Sequence, residues 1–191
     1  GNVNGGSATI SNMTIDSSAK KDGSVGLVGQ FGGGWIKNLR LENAKITAHS
    51  FTVGSFVGWQ NGNVGSGQPN NQGGYENLYA DTTIVLVSGG GDKYDDVGGI
   101  VGCINGCNKN NPATMIKNCV FTGTISAPKG DNVGGILGLS QYDQSKKDEK
   151  GNTIYETLSA PIISNCVVIT QKLEFGYDNF GQTKAHDSGF G

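Results

Sequence analysis

The sequence predicts an all-β protein, a right-handed parallel β-helix (solenoid) of about four to five irregular coils. Three observations predict it. A glycine phrase recurs as Val25-Gly26-Leu27-Val28-Gly29, Val53-Gly54-Ser55-Phe56-Val57-Gly58, Val97-Gly98-Gly99-Ile100-Val101-Gly102 and Val133-Gly134-Gly135-Ile136-Leu137-Gly138. An asparagine phrase alternates with it, as Ile10-Ser11-Asn12-Met13, Ile36-Lys37-Asn38-Leu39, Tyr75-Glu76-Asn77-Leu78, Ile116-Lys117-Asn118-Cys119 and Ile163-Ser164-Asn165-Cys166. Glycine itself supplies 33 of 191 residues, about 17% against an average near 7%. Four prolines and the lack of a Gly-X-Y period leave no collagen reading.

The asparagine phrase predicts a corner. Ile36 and Asn38 share one parity while Leu39 and Leu41 share the other, and in a strand residues of one parity face one side. All three apolar residues can face inward only if the chain bends at Asn38. Asparagine suits a bend, because it tolerates left-handed backbone and its amide hydrogen-bonds locally. Stacked coils would put Asn12, Asn38, Asn77, Asn118 and Asn165 about 4.8 Å apart. Their amides are expected to form a ladder, each bond contributing on the order of 1 kcal/mol.

The inward column after the asparagine then reads Met13, Leu39, Leu78, Cys119 and Cys166. Two residues on it reads Ile15, Leu41, Ala80, Phe121 and Val168. Leu27, Phe56, Ile100 and Ile136 of the glycine phrase are expected on the opposite wall, with glycines where backbones approach closely. The longest excursions, Asn61–Gly74, Asn105–Thr114 and Gln141–Ala160, are rich in Asn, Gly, Gln and Lys, and read as exposed loops gathered on one edge. Residues 1–170 therefore form the repeats. The aromatic, turn-rich 171–191 reads as a cap or the start of a following segment.

Composition narrows the function. Charged residues are 16% and the net charge is −2, which excludes the basic footprint of a nucleic-acid binder. The longest apolar run, Ile84-Val85-Leu86-Val87, is strand-sized, so direct membrane insertion is not expected. The opening Gly1-Asn2-Val3-Asn4 carries no charged or apolar leader, and a processed chain or a piece of a longer protein is expected.

On Gly26-Leu27-Val28-Gly29, Gly99-Ile100-Val101-Gly102 and Gly135-Ile136-Leu137-Gly138, with Gly54-Ser55-Phe56-Val57-Gly58 as a degenerate copy, the chain resembles the GLUG-motif repeat proteins over roughly residues 10–170. The resemblance implies a β-solenoid segment of a bacterial secreted or surface protein, including adhesin-like ones. It implies no catalytic residues.

Arg40, the one arginine, is expected to face outward beside Thr14, Tyr79, Val120 and Val167, which is no lyase site. Asp16, Glu42 and Asp81 are expected to stack on the outer face; solvated acids are preferred over a cation site or a glycosidase pair. Asp92, Asp95 and Asp96 read as a solvated turn rather than a calcium repeat. Cys119 and Cys166 read as buried free thiols in one column, because parallel stacking rarely gives a disulfide dihedral. Cys103 and Cys107 are a possible disulfide in an oxidising compartment. They lack the further ligands of a zinc site, and no metal or cofactor is expected. His49 and His186 have no evident catalytic partner. Asn12-Met13-Thr14 matches a glycosylation acceptor by coincidence.

Trp59, Tyr75, Tyr142 and Tyr155 lie at or within the long excursions, beside many amides. They are the candidate ligand-binding residues, since aromatic faces with adjacent amides take sugars. The expected function is non-enzymatic: an extracellular or cell-surface spacer or adhesion module displaying edge loops to a glycan or host protein. The alternative is a glycan-active hydrolase-type β-helix enzyme or an accessory domain of one.

Overall fold

The computed structural model describes residues 2–61, 73–87, 95–105, 114–128, 130–141, 146–147, 150, 153–154 and 161–175. They are all-β. The first strands are β1 (Val3–Ser11), β2 (Thr14–Val25), β3 (Val28–Phe31), β4 (Trp35–Gly54), β5 (Val57–Asn61) and β6 (Gly74–Leu86). Next come β7 (Asp96–Gly98), β8 (Val101–Asn105), β9 (Met115–Lys117), β10 (Val120–Phe121), β11 (Thr124–Ala127) and β12 (Asn132–Gly134). The last are β13 (Leu137–Gln141), β14 (Lys146–Lys147), β15 (Thr153–Ile154), β16 (Ile162–Ser164), β17 (Val167–Val168) and β18 (Leu173–Phe175).

Nearly every pairing is parallel. Among the described residues twelve strands form one sheet around β4 and β6, β13-β8-β5-β3 form a second, and only β14 and β15 pair antiparallel. Register sets repeat upon repeat. Val3, Ile36, Tyr75, Ile116 and Ile163 align in one column. Ile10, Leu41, Ala80, Phe121 and Val168 align in a second. Ile15, Ile46, Ile84, Ile125 and Leu173 align in a third. The middle members of all three columns are fully buried. Packing one apolar side chain on another is where this fold gains most of its stability.

The bend at asparagine is real. Asn38, Asn77, Asn118 and Asn165 all have φ between 51° and 54°, and the left-handed residue resets parity so that Ile36, Leu39 and Leu41 are all buried. The amides form the expected ladder from the second repeat on: Asn77 donates to Asn38 at 2.8 Å, Asn118 to Asn77 at 3.1 Å and Asn165 to Asn118 at 3.4 Å.

Asn12 is not in that ladder. Ile10 pairs with Leu41 and Thr14 with Lys45, so Asn12 sits beside Asn43 at a second corner, where Asn43 donates to Asn12 at 2.6 Å. The first rung is Asn4, whose Oδ1 accepts from Asn38 at 3.0 Å. The extra residues Gly5, Gly6 and Ser7 make a bulge there, with positive φ at Gly6 and Ser7. This shift moves Met13 and Ile15 out of the Leu39 and Leu41 columns and places Ile15 on Ile46. Asn43 resets parity a second time, so Leu41, Ala44 and Ile46 are buried together.

The glycine phrases build the second sheet. Val28, Val57, Val101 and Leu137 align, and Phe56, Ile100 and Ile136 are buried behind them, with Leu27 half-buried. A Cβ on Gly102 would lie 2.6 Å from both the Gly58 oxygen and the Val53 nitrogen. The phrase therefore holds two stretches of backbone in contact at the turn between sheets, and only glycine fits.

Candidate functional site

The excursions share one corner. Asn61, Asn105 and Gln141 are aligned at the ends of β5, β8 and β13. Chain re-enters the other sheet at Gly74, Met115 and Ile162, again in register. In the first repeat the same corner is crossed by Gly32, Gly33 and Gly34 alone, with Gly33 and Gly34 both at φ 106°. Three short glycines close the turn where later repeats insert long segments. Residues 62–72 and 106–113 lie outside the described residues, and of the third segment β14, Lys150 and β15 are described while Tyr142 and Tyr155 are not.

A buried polar chain anchors the roots of two excursions. The Tyr75 hydroxyl donates to Gln60 Oε1 at 2.6 Å, and Gln60 Nε2 donates to Thr114 Oγ1 at 2.9 Å. Burial pushes the Tyr75 phenol well above its ordinary range, so it stays a neutral donor. All three residues are buried. Tyr75 is thus not a ligand-binding surface residue: it points into the core column between Ile36 and Ile116, with Phe31 at a ring distance of 6.3 Å. Trp59 is half-buried on β5, between Gln30 and Cys103 in register.

The outer face of β4, β6 and β9 carries a charged column that the sequence reading did not single out. Glu76 bridges Lys37 at 2.9 Å and Lys117 at 3.0 Å, and these two ammoniums hold its carboxyl below the usual range. Lys37 also lies 4.0 Å from the centre of the Trp35 ring, and Lys117 5.8 Å. Beside them Arg40 stacks 4.0 Å over Tyr79 and reaches Glu42 at 3.0 Å, while Thr122 donates to the Tyr79 hydroxyl at 3.1 Å. Aligning the phrases one residue either side of Ile36, Tyr75 and Ile116 gives Trp35 and the Lys–Glu–Lys alternation directly. Cations on the aromatic rings and paired acids make this face a self-satisfied lattice.

The proposed acid column is broken. Asp16 aligns with Thr47 on the far side of the second corner, where the Ser18 hydroxyl and N–H hold its carboxyl below the usual range. Glu42 is opposite Ser11 and paired with Arg40; Asp81 accepts the Asn43 N–H at 3.2 Å. The same shift puts Thr9, not Thr14, beside Arg40. Among the described residues no group of three or more His, Cys, Asp or Glu is placed to hold a metal ion.

Asp95 and Asp96 do not form a solvated turn; both are buried. Asp96 sits in register between Thr52 and Asn132, whose amide donates to it at 2.8 Å. Desolvation raises its carboxyl to about 7, aided by the charges of Asp131 and Asp95 and opposed by hydrogen bonds from Asn132 and Cys103. Cys103 is buried on β8; its suggested bridge to Cys107 falls outside the described residues. Cys119 and Cys166 are free thiols, the first buried and the second half-buried. The hydrogen bond with Cys166, with burial, pushes the Cys119 thiol well up. His49 is half-buried on β4, and His186 lies outside the described residues.

No protein-family model matches the chain, and no solved structure matches it. Over 103 residues, 53% of this chain, it is 34% identical to Halomucin of Haloquadratum walsbyi. The chain spans 1% of the length of that relative. Among the described residues no helix is long and apolar enough to cross a membrane.

Proposed function

We propose that the chain is a non-enzymatic, right-handed parallel β-helix segment of an extracellular or cell-surface protein, which presents its corner excursions to a glycan or a host surface protein. One observation carries the reading. Three successive repeats leave the stack at aligned residues Asn61, Asn105 and Gln141 and return at aligned residues Gly74, Met115 and Ile162. A rigid stack with its variable segments gathered at one corner is a display device, because solenoids concentrate insertions on the binding face. The buried Tyr75–Gln60–Thr114 chain fits this role by fixing where the first segment begins and ends and where the second ends. The GLUG-type reading of the glycine phrases accounts for the second sheet, and the likeness to Halomucin supports a place outside the cell. Trp59, beside the first excursion, and Tyr142 and Tyr155, within the third by sequence, are the aromatic residues assigned to sugar contact in this reading.

The test is a glycan array and a panel of extracellular-matrix proteins, probed with the intact chain and with a variant in which 62–72 is replaced by Gly-Gly-Gly. Binding by the intact chain that is lost in the variant, with an unchanged far-ultraviolet spectrum, is expected. An intact chain that binds nothing while a control lectin binds overturns the display reading. Polysaccharide hydrolysis by the intact chain that Glu42→Gln abolishes would establish the enzyme instead.

A further inference from the structure

Cys119 and Cys166 face each other across two successive repeats. Ile116 aligns with Ile163 and Val120 with Val167, and the two intervals have the same length, so the cysteines stand opposite. The backbone is tied on both sides of them. The Asn118 N–H donates to the Ser164 oxygen at 3.1 Å, and the Val167 N–H to the Cys119 oxygen at 2.9 Å. A strand spacing of about 4.8 Å falls within the roughly 4.4–6.8 Å between Cα atoms that a disulfide spans. Everything that sets this pairing lies in β9, β10, β16 and β17, and it holds whatever adjoins β18.

In a flat parallel ladder the two side chains would run parallel and the sulfurs would stay a strand spacing apart. Neither cysteine is in a strand. Cys119 falls between β9 and β10 and Cys166 between β16 and β17, each directly after a left-handed asparagine, with φ 54° at Asn118 and 51° at Asn165. At that corner Cys166 leans onto the repeat below: its Sγ lies 3.5 Å from the Ile116 oxygen, besides 3.4 Å from the Ser164 oxygen. Cys119 Sγ lies 3.3 Å from the Lys117 oxygen, and the two thiols hydrogen-bond to each other. That bond holds the Cys166 thiol below its ordinary value, which supplies the thiolate that exchange chemistry needs. Among the described residues no third His, Cys, Asp or Glu joins them to hold a metal ion.

We infer that Cys119 and Cys166 are a dithiol that closes reversibly to a disulfide, stapling one repeat to the next. A small disulfide such as oxidised glutathione is the oxidant. The Cys166 thiolate attacks one glutathione sulfur, the glutathione S–S bond breaks, and one glutathione thiolate leaves. Cys119 then gives up its proton and attacks Cys166 Sγ; the Cys119–Cys166 bond forms and the second glutathione thiolate leaves. The two cysteines lose two electrons and two protons, and the glutathione disulfide is reduced to two thiols. The ring closed by this bond contains the whole third excursion, so closure fastens the strand on which that excursion returns, β16, to the repeat beneath it. Outside the cell, the place proposed above, the closed form is favoured; the thiol chemistry does not rest on that placement.

The experiment equilibrates the full chain in glutathione buffers from reducing to oxidising, quenches with iodoacetamide and maps tryptic peptides. Cleavage after lysine puts Cys119 in 118–129, Cys166 in 151–172, and both Cys103 and Cys107 in 94–109, so each linkage is read separately. The wild type should show 118–129 joined to 151–172. That bond should form at a glutathione ratio at least about tenfold more reducing than in the same chain unfolded in urea. Oxidation should also raise the melting temperature of the wild type by more than that of Cys166→Ala. Both cysteines alkylated at the most oxidising ratio would overturn the inference, as would a linkage formed no more readily in the folded chain than in urea. Cys119 or Cys166 joined instead to 94–109 would overturn it too. The readout is covalent and independent of ligand, so the staple can fail while the display reading stands.

Discussion

A residue held at φ near +54° is strained for any L-amino acid except the few that hydrogen-bond in that geometry, and here asparagine fills that role in each repeat, twice in the one holding Asn38 and Asn43. Asn77 does two things, turning the chain and donating to Asn38 while accepting from Asn118. Replacing it with alanine loses both bonds and leaves a Cβ in the left-handed region with no amide to offset its strain, and should cost about 2–3 kcal/mol. Asn77→Gly keeps the turn and loses only the amide, so it should recover about 1 kcal/mol of that. Urea melts of the two variants separate the strain from the ladder; equal losses would mean that the backbone carries none of it. Asp96 is the other residue with a defined signature. Its folded value of about 7 exceeds the ordinary 3.8, so between those values the folded chain retains a proton that the unfolded chain has released. Stability should therefore fall as pH rises through that window and level off above it, by a few kcal/mol in total. Asp96→Asn should flatten this part of the profile and raise the melting temperature at pH 8 with little change at pH 4. A variant profile parallel to the wild type would show that Asp96 titrates normally.

At the scale of elements, the glycine phrase is a steric device. A Cβ on Gly98 would overlap the Val101 carbonyl and approach the Gly138 nitrogen at 2.7 Å, whereas one on Gly32 meets nothing within 4 Å. Gly98→Ala should cost about 3 kcal/mol or more, while Gly32→Ala should be neutral or stabilise by about 0.5 kcal/mol. A tolerated Gly98→Ala, read by thermal melts, would mean that the turn between sheets can widen. These elements were legible in sequence because strand parity and glycine spacing are local, and four of the five asparagine rungs followed from parity alone. The first repeat was misplaced because Ile10-Ser11-Asn12-Met13 has the local pattern of the first corner yet pairs with Leu41-Glu42-Asn43-Ala44, an offset fixed by the Gly5–Ser7 bulge. That error carried Asp16 into an acid column it does not join. The burial of Tyr75 was hidden by its hydroxyl, since the partner Gln60 lies on the other sheet and no local pattern announces it. The Trp35–Lys37–Glu76–Lys117 lattice was readable from the aligned phrases but lies one residue outside the apolar positions that drew attention.

Across the whole molecule, each strand pairs with residues roughly one repeat away, as Lys37 does with Glu76 and Glu76 with Lys117. Stability in such an array is close to a sum of nearest-neighbour terms, and closing contacts this distant makes folding slow. Repeats with neighbours on both sides should then outlast those with one. β4 and β6 have partners on both edges and fully buried columns at Leu41, Ile46, Leu78 and Ile84. Among the described residues β1 and β16–β18 have one partner and half-open columns. Native-state hydrogen exchange of the monomer should accordingly show the slowest amides in β4 and β6 and progressively faster exchange toward both ends, with local openings well below the global unfolding free energy at β17 and β18. The backbone N–H groups of Ile46 and Ile84 should exchange only through global unfolding. Uniform protection along the chain at low concentration would mean that the stack opens as one unit, and that the nearest-neighbour account of its stability is wrong.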